Sequence, residues 1–144
     1  MLTAVPEYSL VDMVVQADER IVVGAGHLLF RFDPDGLLDG SFSDEGWVRS
    51  PVAAAGVGVQ SGGEIVVTGP WRWEPWSFNT VRFHATGERD QTFAGDGWAE
   101  AGFPGFDGVA YALTIQPDDK ILAVGTTGDF EIDGRFALAR FLAS

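Results

Sequence analysis

The chain has 144 residues, 46% of them hydrophobic and 12% aromatic, which excludes a disordered polymer and suffices for one domain with a sizeable core. Its 21 acidic residues against 9 basic ones give a formal charge of −12, a field that repels duplexes and anionic bilayers, so neither nucleic acid nor membrane is expected as a partner. Cysteine is absent, which removes disulfides, thiolate metal ligands and thiol nucleophiles, and no metal or other cofactor is expected.

No apolar run approaches the roughly 20 residues of a membrane-spanning helix. Residues 1–6 lack the basic and apolar regions of a signal peptide, so the expected location is the cytoplasm by default. The first element in chain order is a short apolar strand at 2–5. Strands are then expected at 11–15, 21–23, 28–32 and 47–50, again at 56–59, 64–68, 80–83 and 98–101, and again at 110–115, 120–124 and 135–141. Each series holds a hairpin with one plan. An apolar run ends at Gln16, Gln60 or Gln116, a four-residue polar turn follows, and Ile21, Ile65 or Ile121 opens an apolar run that closes on glycine. No segment carries a helical apolar period over three turns.

The series are copies of one repeat. Residues 31–47 and 82–98 align without a gap, and seven of the 17 positions are identical: Arg31/Arg82, Phe32/Phe83, Gly36/Gly87, Asp39/Asp90, Phe42/Phe93, Gly46/Gly97 and Trp47/Trp98. The third copy enters this block with Arg140-Phe141. Four-stranded units recurring about every 50 residues are the signature of propeller blades. The expected fold is therefore all-β, a β-propeller with three four-stranded blades per chain and its ring completed by a second chain to six blades. The blade repeats span about 8–50, 51–101 and 107–144, with 1–6 as the outer strand closing a partner's last blade. A homodimer follows, because three blades alone would leave two apolar faces bare.

Three stretches, 112–125, 136–141 and 31–47, also resemble the delta-60 repeat family of bacterial propeller-like proteins. They share the order apolar-Gln-x-Asp-x-Lys/Arg-Ile-apolar-Gly, then Phe-Ala-Leu-Ala-Arg-Phe, then Asp-Gly-x-Leu-Asp-x-x-Phe. The second copy departs from that pattern at Ser61-Gly62-Gly63 and at His84-Ala85-Thr86. The resemblance implies a propeller-type fold and no particular activity.

Candidate binding residues cluster in the loops between the second and third strands and between consecutive copies, which share one face of a propeller. The second copy carries Trp71, Trp73, Trp76 and Phe78 within ten residues. The third carries Asp129, Glu131 and Asp133, and the loop between the two adds Phe103, Phe106 and Asp107. Aromatic faces beside carboxylates suit a sugar, a cationic ligand or a peptide. The same tryptophans would equally serve as packing over a neighbouring blade or a subunit seam. The alternating acids could form an acid/base pair or hold a hard cation, although a solvated acidic loop has the same composition. His27 and His84 lack a second ligand at metal spacing. Arg31, Arg82 and Arg140 recur beside phenylalanine, which suggests a blade-to-blade salt bridge or stem packing repeated around the ring. With no nucleophile–base pair, the leading reading is a non-enzymatic module that self-assembles and binds a ligand, glycan or protein partner on the loop face. A purely structural propeller fragment, or a hydrolase or lyase using the acidic loop, are the alternatives.

Overall fold

The computed structural model describes residues 10–70, 76–128 and 134–143. These residues form eleven strands and no helix. Sheet 1 runs β1 (Leu10–Val15), β2 (Ile21–Ala25), β3 (Leu28–Phe32) and β4 (Trp47–Arg49). Sheet 2 runs β5 (Gly56–Val59), β6 (Ile65–Gly69), β7 (Phe78–Phe83) and β8 (Trp98–Ala101). Sheet 3 holds β9 (Gly108–Ile115), β10 (Ile121–Thr127) and β11 (Arg135–Phe141). Each sheet is an antiparallel meander in which sequential strands are neighbours. The first strands, β1, β5 and β9, lie next to one another, as the inner strands of propeller blades do.

Sheets 1 and 2 have the four strands expected, whereas sheet 3 has three among the described residues. The expected outer strand at 2–5 lies outside those residues. The second strands take in the glycines expected to close them and end at Ala25, Gly69 and Thr127. Glycine is tolerated there because the neighbouring backbone comes too close for a side chain. A Cβ on Gly69 would lie 1.7 Å from the Ala53 carbonyl oxygen, and one on Gly125 would lie 1.9 Å from that of Val109. A bulge in β9 at Tyr111, opposite Val124 and Gly125 of β10, accompanies the second of these approaches.

The hairpin turns are one structure used three times. The amides of Glu19, Gly63 and Asp119 donate to the carbonyls of Gln16, Gln60 and Gln116, and all three donor residues have positive φ. Only Gly63 adopts that conformation without a Cβ penalty.

Two apolar clusters lie between the sheets. Val22, Leu29, Phe42 and Val48 of the first copy pack on Val57, Ile65, Val67 and Val81 of the second. On the other side of sheet 2, Val66, Phe78 and Phe93 pack on Ala110, Ile121, Ala123 and Phe141. Alternate residues of β6 thus serve opposite seams, and every residue of β6 and β7 is buried. A central strand buried on both faces reads as a continuous apolar run, as Ile65-Val66-Val67 does.

Candidate functional site

The repeated block is the best-defined polar assembly of the structure. Arg31 donates from Nε to Asp39 Oδ2 at 2.7 Å and from Nη2 to Ser41 Oγ at 3.0 Å, and its guanidinium lies 4.8 Å over the Phe42 ring. Arg82 repeats this with Asp90 at 2.7 Å, with Thr92, and with Phe93 at 4.8 Å. Both arginines and Asp90 are buried, and Asp39 is nearly so. Each arginine also donates from Nη1 to a backbone carbonyl of the following sheet's copy, Arg31 to Ala85 and Arg82 to Ala143. Burial alone would push the Asp39 and Asp90 carboxyls up. The Ser41 and Thr92 hydroxyls and amides, with the guanidinium, outweigh it and hold both below the ordinary aspartate value.

Four of the seven identical residues are therefore one structural unit. The Arg31 amide donates to the Gly46 carbonyl, the Asp39 amide to Arg31, the Phe42 amide to Asp39 and the Gly46 amide to Phe42, and the same four bonds recur in the second copy. The salt bridge lies within one copy, and the link to the next copy is a hydrogen bond to its backbone. A second link crosses between sheets 2 and 3 where the Ser61 amide donates to Asp119 Oδ1 at 2.7 Å and its hydroxyl to Oδ2. Those two bonds hold the Asp119 carboxyl below its ordinary value. A hollow of about 360 Å3 beside Ser61, Glu64, Arg82 and Asp119 lies on this end of the molecule, its arginine and Asp119 already engaged.

The opposite end carries the candidate binding residues. The Gly108 amide donates to the Trp76 carbonyl at 2.8 Å, and the Thr127 hydroxyl and Gly128 amide both donate to the Asp107 carbonyl. The two kinds of loop thus meet on one face. They border a cleft of about 560 Å3 whose walls include Trp76, Glu100, Phe103, Phe106 and Asp107. Trp76 is 41% exposed and Phe106 46%, and the Glu100 and Asp107 side chains are exposed beside them. Arg135 sits 5.5 Å over the Phe106 ring.

Phe78 does not join the cleft. As the first residue of β7 it turns into the core, fully buried, and its ring meets Phe103 edge-on at 4.9 Å and 72°. It supports the cleft wall from behind and is not open to a ligand. Trp71, Trp73, Asp129, Glu131 and Asp133 lie outside the described residues. His27 Nδ1 faces the Ser50 carbonyl at 3.2 Å, and His84 Nε2 lies 3.5 Å from Asp90 Oδ1. Among the described residues no group of three His, Asp or Glu is placed to hold a metal ion.

Residues 116–144 match the family described as "Domain of unknown function (DUF5122) beta-propeller". That match and the three antiparallel sheets support a β-propeller repeat protein. No curated protein matches the sequence. Among solved structures, a protein of unknown function from Bacteroides caccae is similar at 9% identity and a TM-score of 0.47, over 96% of this chain. The chain spans 62% of the length of that protein. No helix of the described residues is long and apolar enough to cross a membrane.

Proposed function

We propose that the chain is a non-enzymatic propeller module that completes a six-bladed ring with a second copy and offers its loop-face cleft to a ligand. The observation that carries this reading is a contrast between register-equivalent residues. Phe78 of sheet 2 is 0% exposed, while Phe136, at the same place in sheet 3, is 77% exposed. Val57 of sheet 2 is 5% exposed, while Met13, at the same place in sheet 1, is 57% exposed. The two outer sheets thus each show a bare apolar face of the kind that is covered inside the module, and soluble chains seldom leave such faces open. Propellers close at about four to eight blades, so two copies of a three-sheet unit fall within that range. The delta-60 repeat assignment accords with this reading through the Gln116–Gly125 hairpin and Phe136-Ala-Leu-Ala-Arg-Phe141.

Light scattering at micromolar concentration is expected to give twice the 15.5 kDa chain mass. A well-folded species of single-chain mass would overturn ring completion.

The cleft carries the binding part of the proposal, because exposed rings of Trp76 and Phe106 stand beside the Glu100 and Asp107 carboxylates. Rings stack on the apolar faces of a sugar or on a peptide's cationic side chain while carboxylates accept its donors. Glycan-array and peptide-library screening is expected to yield a ligand whose affinity falls about tenfold or more in a Trp76→Ala, Phe106→Ala variant. A ligand held equally well by that variant would place binding elsewhere.

A further inference from the structure

We infer that the two copies join head to tail, the β11 face of one seating on the β1 face of the other, with Arg140 as the clamp across the seam. This rests on the ring-completion reading above and specifies its geometry.

The two internal seams supply the template. In each, an arginine of the third strand donates to the carbonyl two residues beyond the third-strand phenylalanine of the next copy. Arg31 reaches Ala85, which follows Phe83, and Arg82 reaches Ala143, which follows Phe141. Continuing the series, the donor is Arg140 and the acceptor is the carbonyl of Pro34, two residues beyond Phe32. Arg31 and Arg82 are buried, whereas Arg140 is exposed on sheet 3.

The apolar surfaces follow the same series. A Cβ on Gly58 would lie 2.6 Å from Leu113 Cδ1 and 2.9 Å from Ile115 Cγ1, so the side chains of β9 press directly on sheet 2. Met13 and Val15 hold the positions of Leu113 and Ile115 on β1, and both are more than half exposed. Thr114 holds the position of Gly58 on β9 and is exposed, and Leu138, on β11 at the position of the buried Thr80, is exposed as well. The β1 face therefore carries the projecting side chains and the β11 face carries the surface that receives them.

Pairing like with like fits less well. Two β11 faces would bring Arg140 against Arg140, a like-charge contact in a desolvated seam, and two β1 faces would oppose the same projecting side chains. Head-to-tail contact gives each guanidinium a carbonyl. It is a heterologous contact, which closes into a pair when the rotation between copies is half a turn.

The test uses two double variants at exposed positions, so that folding can be verified by circular dichroism. Phe136→Glu with Leu138→Glu disables the β11 face, and Met13→Glu with Val15→Glu disables the β1 face. Each alone is expected to run as a monomer. An equimolar mixture is expected to form a mixed pair by native mass spectrometry, because one seam then joins two intact faces. A monomeric wild-type chain would overturn ring completion itself. A dimeric wild type with either variant still dimeric alone, or with no mixed pair on mixing, would overturn the head-to-tail seam and leave ring completion standing. Arg140→Ala is expected to raise the dimer dissociation constant about tenfold or more, with Arg140→Lys recovering only part of it, since a forked donor is replaced by a point charge. An unchanged constant in Arg140→Ala would remove the clamp.

Discussion

Arg82, like Arg31, gathers a carboxylate, a hydroxyl, an aromatic face and the backbone of the next copy on one side chain, and it adds a bond to the Gln60 side-chain oxygen. Truncating it strands the Asp90 carboxylate in a buried position, so Arg82→Ala is expected to cost about 3–5 kcal/mol of unfolding free energy in denaturant titrations. A loss below about 1 kcal/mol would mean that water replaces the guanidinium. The carboxylates also set an acid limit. Their folded values are depressed, so the stabilisation is fully present above the ordinary aspartate value of about 3.9 and is lost as pH falls through the lower, folded value. Asp39→Asn and Asp90→Asn should each be less stable near neutrality and show a shallower fall in stability below about pH 4. A pH profile parallel to that of the wild type would count against this role. The pairing was open to reading in the sequence, since Arg and Asp recur together eight residues apart in both copies. Recurrence of the arginine alone suggested a bridge between blades, whereas the acid that answers it is in the same copy.

At the level of strands, the close-approach glycines show why sequence boundaries were short. Glycine within an apolar run reads as a strand end, yet Gly69 and Gly125 are paired strand residues over which a neighbouring carbonyl folds. Gly69→Ala is expected to destabilise by at least about 1–3 kcal/mol, because the obstacle is backbone and cannot rotate away. Gly102→Ala provides the control, for nothing lies within 4 Å of its added Cβ and its φ is not in the left-handed region. Equal melting temperatures for the two variants would contradict the contact. The aromatic run at the start of β7 posed the opposite difficulty. Trp76 and Phe78 look alike in composition, but β7 is buried on both faces, so Phe78 becomes core while Trp76, outside the strand, stays half open. Two-faced burial depends on a third sheet arriving from a later part of the chain, which local alternation does not encode.

For the molecule as a whole, the all-β meander and its repeat were legible because turn chemistry and strand periodicity recur in each copy, as Gln16, Gln60 and Gln116 show. The cleft was legible only in part. Phe103, Phe106, Asp107 and Trp76 do come together, whereas Glu100, which also lines it, belongs to β8 and carried no loop signal.

The reach of each arginine into the next sheet's copy has a consequence for synthesis. The Arg31 guanidinium and its carbonyl acceptor are 54 residues apart in the chain, and those of Arg82 are 61 apart. At the usual pace of translation, about 5–20 residues per second, each donor leaves the ribosome roughly 3 to 12 s ahead of its acceptor. Maturation of the nascent chain therefore has a direction: the arginines of sheets 1 and 2 each emerge with their seam contact open and gain its acceptor only when the next copy follows.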